Sequence, residues 1–315
     1  MNPARSLVIG SRGSQLALWQ AEFIRGNLAA LGIEARIEII KTAGDRITDL
    51  SLAVAGAQSG AGKGLFTREI EDALLAGRID LAVHSLKDLP TELPEGLTLA
   101  AIPARANPFD ALVGRRLEDL PRGARVGTSS LRRSAQLLRQ RPDLEVVNLR
   151  GNVDTRLRKL DEGQCESIVL AAAGLLRLGW SDRIAELMPP DVMCPAVGQG
   201  ALAIETRQAG DGYEMCTPLD DPPTRLAVTA ERALLSTLNG GCQVPVGAFA
   251  KIEDERLCLR AIVISPDGAT AIAGSIEGEL TRPAAAGHEL GQRLLRQGAA
   301  AILDQVYAVP RDRAV

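Results

Sequence analysis

Short apolar runs alternate with amphipathic stretches through most of the chain, and that alternation constrains the fold more than any other feature. "SLVIGS" (Ser6 to Ser11) reads as a buried strand. In "SQLALWQAEFIRGNLAALG", Leu16, Trp19, Phe23, Ile24, Leu28 and Leu31 recur every three or four positions, which predicts a helix stopped by Gly32. "EARIEIIKT" alternates as a strand does, "FTREIEDALLAG" is helical and "IDLAVHS" is a strand again. Strand and helix in turn predict an α/β lobe with a largely parallel sheet. Leu50 to Gly64, rich in glycine and small residues, reads as a mobile loop.

A second such unit follows "PARANPFD": strand "ARVGTSS", helix "SLRRSAQLLRQR", strand "LEVVNLRG", helix "NVDTRLRKLDEG", strand "SIVLAAAG" and a further helical turn. "GQGALAIETR" reads as a return strand. Two α/β units with crossing connections are similar to the two lobes of periplasmic binding proteins. "LDDPPTRLAVTAERALLSTLNGG" then opens a third part. Asp221 caps its helix, prolines occupy the first positions, and Leu226, Ala230, Ala233, Leu234 and Leu238 share one face. Three strand-like runs and a helix from about Arg282 to Tyr307 complete a small α+β domain. The expected boundaries are 1–103 with the return segment 199–219 for the first lobe, 104–198 for the second, and 220–315 for the third domain.

Composition excludes several functions. Nearly half of the 315 residues are apolar, enough core for two or three domains. Aromatic residues are 3%, too few for a nucleic-acid stacking platform, and the net charge of -3 supplies no general attraction to nucleic acid or anionic membrane. The N-terminus offers only a four-residue apolar run and no stretch approaches a membrane span, so a soluble cytoplasmic protein is expected. Nothing argues for an obligate dimer, so a monomer is expected. Five cysteines, widely spaced and without a C-x-x-C pair, suggest neither zinc nor a disulfide framework. Only His84 and His288 could serve as imidazole ligands or bases.

Positive charge is concentrated between Arg125 and Lys159, where Arg125, Arg132, Arg133, Arg139, Arg141, Arg150, Arg156, Arg158 and Lys159 face only Asp143, Glu145 and Asp154. Arg139, Arg141 and Arg158 read as solvated helix faces. "GTSSLRR" places Thr128, Ser129 and Ser130 where a helix starts after a strand, a natural anion site, with Arg132 and Arg133 set against the helix dipole. "NLRGNVDTRL" repeats the arrangement with Arg150 and Arg156. Strand ends of open α/β sheets bind ligands, and arginine suits carboxylates, so the expected ligand carries several carboxylates or phosphates.

Other polar groups fall at comparable junctions. "VHSLKDLP" ends a strand with Lys87 and Asp88, either a surface ion pair or an acid/base group beside a cation that keeps it ionised. Arg12 and Ser14 sit in "SRGSQ", Lys63 and Phe66 at the end of the glycine-rich loop, and Gly198 and Gly200 in "CPAVGQGALAIE". "LNGGCQVPVG" exposes Cys242 in a glycine-flanked turn. Two readings stay open on these residues alone: a non-catalytic two-lobed carboxylate or phosphate binder, and a thiol enzyme using Cys242 as nucleophile.

Taken together, "VHSLKDLPTELP", "GTSSLRRSAQL", "LRGNVDTRLRKL", "AAAGLLRLG", "VGQGALAIE" and "LNGGCQVPVG" resemble, in order and over most of the chain, the porphobilinogen deaminase (hydroxymethylbilane synthase) family. The resemblance implies a transferase of tetrapyrrole (heme and chlorophyll) biosynthesis that joins four porphobilinogen molecules, releasing ammonia and 1-hydroxymethylbilane. It implies a dipyrromethane cofactor held by a thioether to Cys242. It further implies carboxylate grips at Arg12, Ser14, Lys87, Thr128, Ser129, Arg132, Arg133, Arg150, Arg156 and Arg177. Asp88 matches the catalytic aspartate beside Lys87, and Lys63 and Phe66 match the end of the active-site loop. No metal is implied.

Overall fold

A computed structural model describes residues 6–42, 67–239 and 244–308. The loop read at 50–64, with Lys63, Phe66 and Cys242, lies outside the described residues. The chain divides into two compact units, residues 1–106 with 201–225, and residues 107–200 with 226–315.

In the first unit, β1 (Leu7–Ser11), α1 (Gln15–Ala30), β2 (Ala35–Ile39), α2 (Arg68–Leu75), β3 (Leu81–Ser85), β4 (Leu97–Ala101) and the late strand β10 (Leu202–Arg207) build one sheet with its helices. The strand order is β2-β1-β3-β10-β4. β1 runs parallel to β2 and β3, whereas β10 is antiparallel to both β3 and β4. Leu7, Ile9, Leu81, Val83, Leu202 and Ile204 pack with Ile24 and Leu28 of α1 on one face. Ile70 and Leu74 of α2 cover Ala82 and Leu97 on the other.

In the second unit, β5 (Asp110–Val113), β6 (Arg125–Gly127), α3 (Leu131–Gln140), β7 (Glu145–Val147), α4 (Val153–Asp161), β8 (Ser167–Ala171), α5 (Ala172–Arg177) and β9 (Ile184–Met188) repeat the plan in the order β7-β6-β8-β5-β9. β6 is parallel to β7 and β8, and β5 is antiparallel to β8 and β9. A largely parallel sheet was therefore only half the pattern. Each sheet takes one strand from the connection between lobes, β5 outward and β10 on return, and that strand runs against its neighbours.

The same unit carries a second sheet. α6 (Asp211–Cys216) belongs to the first unit, α7 (Pro222–Thr237) leads from it into the second, and there β11 (Val246–Glu253), β12 (Arg256–Ile264) and β13 (Ala271–Gly278) form an antiparallel meander. The Asp221 carboxylate accepts from Thr224 N–H at 2.9 Å, the expected cap of α7. Ala230, Leu234 and Leu238 pack with Leu259, Val263, Leu290 and Leu294. The C-terminal helix is not continuous: α8 (Pro283–Leu294) and α9 (Ala300–Ala308) are separated at Gly298, whose φ of 103° suits glycine.

α1 also departs from its expected face. Phe23 and Leu31 are exposed, while Gln20, Ala21, Ile24 and Leu28 point inward. Gln20 is tolerated there because its Nε2 donates to Ser85 Oγ at 2.9 Å, and Phe23 stacks on Trp19 outside.

Candidate active site

The parallel strands of each sheet bring their C-terminal ends to one edge, and the polar motifs gather there. In the first unit β1 delivers Arg12 and Ser14, and β3 runs into a single 3-10 turn, Leu86–Asp88, carrying Lys87 and Asp88. Asp88 is exposed and Lys87 half-buried. Ser14 is the N-cap of α1, its Oγ accepting from Ala17 N–H at 3.3 Å, so part of its hydrogen-bonding capacity is structural.

In the second unit β6 delivers Thr128 and Ser129 to the start of α3, with Thr128 buried and Ser129 exposed. β7 leads to Arg150, and Arg156 on α4 donates Nε to Gly151 O at 2.8 Å. Arg177, at the end of the helix after β8, donates to Gly200 O at 2.8 Å. Burial lowers its pKa to about 10, so it remains charged at neutral pH yet partly stripped of water. Such a cation gains from an anionic ligand more than a solvated one does.

Arg132 and Arg133 go elsewhere. Both are buried, and both turn to Asp110, which has no exposure at all. Arg132 Nη1 lies 2.7 Å from Oδ2, and Arg133 approaches Oδ1 through Nε at 2.9 Å and Nη2 at 2.7 Å. Gln199 Nε2 donates to the same Oδ1 at 3.0 Å. Burial alone would push the Asp110 carboxyl up; the two guanidinium charges and the Arg132 and Gln199 hydrogen bonds outweigh it and hold the group well below the usual carboxylate range. The cations set against the helix dipole thus have an anion, and it is Asp110. Of the basic residues read as solvated, Arg158 pairs with Glu162 at the surface. Arg141 instead grips Asp143 with two 2.8 Å bonds and reaches Leu117 O and Leu120 O, tying down the 117–120 turn.

Four further buried acids were not singled out by sequence, and one of them, Asp80, accepts from Val8 N–H at 2.9 Å. Glu231 accepts from Gly198 N–H at 2.7 Å and Ala250 N–H at 2.8 Å, joining α7 to the glycine turn and to β11. Glu205 lies 3.1 Å from His84, and Glu71 is buried on α2. Asp110, Glu205 and Glu231 had a faint signal, a lone charge inside an apolar stripe: "PFDALV", "LAIETR" and the inner face of "TRLAVTAERALL".

The described cysteines are free thiols. Burial pushes Cys194 and Cys216 up to about 12, and raises Cys165, so none of these three supplies a thiolate at neutral pH. Among the described residues no cluster of His, Cys, Asp and Glu could hold a metal, and no helix is long and apolar enough to cross a membrane.

Fold and site define an α/β protein of two units, the first presenting Arg12, Lys87 and an exposed Asp88 at its strand ends, the second hydroxyl and guanidinium groups at its own, with an antiparallel sheet carried by the second. Family models resolve this class. Residues 7–214 match "Porphobilinogen deaminase, dipyromethane cofactor binding domain", and residues 225–296 match "Porphobilinogen deaminase, C-terminal domain". The chain belongs to the porphobilinogen deaminase family. It is 51% identical over 311 residues to the porphobilinogen deaminase of Desulforudis audaxviator, covering 96% of this chain and 99% of that one. It is 48% identical over 309 residues to that of Syntrophobacter fumaroxidans, covering 96% and 98%. A periplasmic substrate-binding protein from Coxiella burnetii superposes over 72% of this chain and 96% of its own, with a TM-score of 0.43 at 12% identity, too loose a likeness to carry weight.

Proposed function

We propose that this chain condenses porphobilinogen head to tail, as a transferase that releases ammonia and 1-hydroxymethylbilane. The observation that carries the reading is the placement of Asp88, exposed at the end of β3 beside Lys87, within a domain matched as a cofactor-binding deaminase domain.

The strand-end groups fit a dipyrromethane. Its carboxylates call for the donors found there: the half-buried Arg177 with its lowered pKa, Thr128 and Ser129 at the start of α3, and Arg150 and Arg156 beside them. These residues, with Arg12, Ser14 and Lys87, would hold the cofactor and incoming substrate, and Cys242 would tether it through a thioether. Lys63 and Phe66 would complete the site. When bound, the cofactor supplies the pyrrole carbon to which the first substrate is joined.

The protein's own part in the reaction is positioning and charge. Arginines fix the acetate and propionate of porphobilinogen, so orientation is settled before reaction. Asp88 accepts the substrate pyrrole N–H and stabilises the positive charge that develops as the C–N bond to ammonia breaks. It also takes the proton lost when the joined pyrrole regains aromaticity and, being exposed, returns it to solvent before the next addition. Arg132 and Arg133 act through Asp110, holding the start of α3 where Thr128 and Ser129 are presented. We place the enzyme in the cytoplasm as a monomer, which size exclusion at micromolar concentration tests.

The decisive experiment is the intact denatured mass of the purified protein beside its Cys242→Ser variant. An excess equal to two condensed pyrrole units, absent from the variant, supports the reading. An unmodified mass in protein fully supplied with porphobilinogen sinks it and leaves a carboxylate-binding protein.

A further inference from the structure

The C-terminal end of β3, which presents Lys87 and Asp88, is gripped from both faces of its sheet. On the α1 face Ser85 accepts from Gln20, and beside it Leu86 N–H donates to Ala201 O at 3.0 Å. On the α2 face a histidine and two carboxyl groups are buried beside an aliphatic cluster. His84 (6% exposed) has Nε2 3.1 Å from Oε2 of Glu205 (0%), and Glu71 (7%) comes in from α2. Neither Glu205 oxygen, nor His84 Nε2, nor Glu71 Oε1 has an aligned hydrogen bond. The aliphatic cluster of Ile70, Ala73, Leu74, Ile79, Ala82 and Leu97 lies on that side.

Two carboxylates and one imidazole buried together cannot all be charged without leaving one charge uncompensated. Two carboxyl groups buried side by side are carried at least cost when one of them is the neutral acid, and Glu71 is the one whose burial favours it. We propose that Glu71, His84 and Glu205 form a charge-coupled triad whose proton on Glu71 fixes the end of β3, making them positioning residues for the reaction at Asp88. The proposal rests on the deaminase reading for its function and on the first unit's geometry for its existence.

Burial pushes the Glu71 carboxyl up; the Thr67 hydroxyl pulls it partly back, the negative Glu205 raises it again, and His84 and Asp72 act in opposite senses. Among the described residues, the other titratable groups about the triad are Arg68, Glu69 and Asp72 on α2 and Glu92 in the turn before β4. Further along the same face Arg207 donates to Leu74 O, Ile79 O and Asp80, and Asp80 also accepts from Val8 N–H. Glu71 also lines a cavity of about 470 Å³ with Arg68, Asp72 and Glu92, through which its proton can exchange with solvent. Because the folded value lies above the unfolded one, the arrangement is intact at lower pH and is lost as pH rises through the folded Glu71 value.

The test uses holoenzyme labelled with ¹⁵N-histidine. With only two histidines in the chain, His288→Gln leaves the ring of His84 as the single histidine signal. In that protein the His84 ring shifts should show a step as Glu71 ionises, and adding Glu71→Gln should remove the step or move it by about one pH unit or more, the scale of coupled sites. In step with it, the alkaline fall of kcat/KM should move while KM at neutral pH stays within about twofold, as expected of positioning without substrate contact. Glu205→Gln gives a second route should Glu71→Gln fold poorly. Ring shifts indifferent to both substitutions overturn the triad, whether or not porphobilinogen is turned over. Coupled shifts with an unmoved kcat/KM profile overturn the positioning role. An unmodified intact mass in unsubstituted protein fully supplied with porphobilinogen overturns the deaminase reading instead, and leaves the ring shifts as they are.

Discussion

Arg132 Nη1 stands 2.7 Å from Asp110 Oδ2, with 4% and 0% of the two side chains exposed, so the central ion pair of the second unit is almost wholly removed from water. Such pairs contribute little net stability when intact but cost a great deal when one partner is lost, because the other stays buried and charged. Asp110→Ala strands two guanidinium groups and should destabilise the protein by about 3–5 kcal/mol. Urea unfolding of the variant beside the parent checks this; a change under about 1 kcal/mol would show that the pocket admits water or an ion in compensation.

The same carboxylate sets an acid limit. Its folded value is held well below the usual carboxylate range, so its contribution is fully present above the unfolded value of about 3.9 and is lost as pH falls through the depressed folded value. Thermal melts between about pH 5 and 2 should show stability declining in the parent. Asp110→Asn, less stable throughout, should decline less steeply.

Arginines of one sequence cluster should separate into two behaviours. Arg150→Leu and Arg156→Leu, at strand-end positions, should raise KM or impair cofactor assembly while leaving the melting temperature within about 2 °C of the parent. Arg133→Leu should lower stability first, since it removes a partner of buried Asp110. Melts and mass spectra on the same preparations distinguish them, and equal stability losses in all three would contradict the division.

Asp88 is exposed and lies outside the packed core, so Asp88→Ala should leave the melt unchanged and retain the cofactor mass. Turnover should fall about a thousandfold, from the ~4 kcal/mol by which unit charges ~4 Å apart attract at an effective dielectric of ~20 once substrate excludes water. Single-turnover measurement of ammonia release tests it; full activity would remove the aspartate from the chemistry.

Glu231 joins α7, which leads toward Cys242, to the Gly198 turn and β11 through two short backbone hydrogen bonds. Glu231→Ala leaves two buried N–H groups unmatched and should cost about 2–5 kcal/mol, whereas Glu231→Gln, which can still accept one bond, should cost less. Hydrogen exchange at Gly198 and Ala250 should rise in the alanine variant, and unchanged protection there would deny the tie.

Much of this was legible along the chain because it depends on local periodicity. The strands from β1 to β3, the helices α2 to α4, the Asp221 cap and the antiparallel meander follow from spacing and turn residues that each segment carries within itself. So does the delivery of Arg12, Asp88, Thr128 and Arg150 to strand ends. What needed the tertiary structure was every relationship between residues distant in sequence. A cation at a helix start looks the same whether its anion is a ligand or Asp110, 22 positions away. A lone Glu205 in an apolar strand gives no hint that His84 lies 3.1 Å away on the neighbouring strand, because strand pairing, not sequence, brings β10 against β3. Neighbours along the chain fix conformation through backbone sterics and hydrogen bonds. The charge state of a buried group is fixed by whatever the fold packs against it, and that is decided only when the sheet closes.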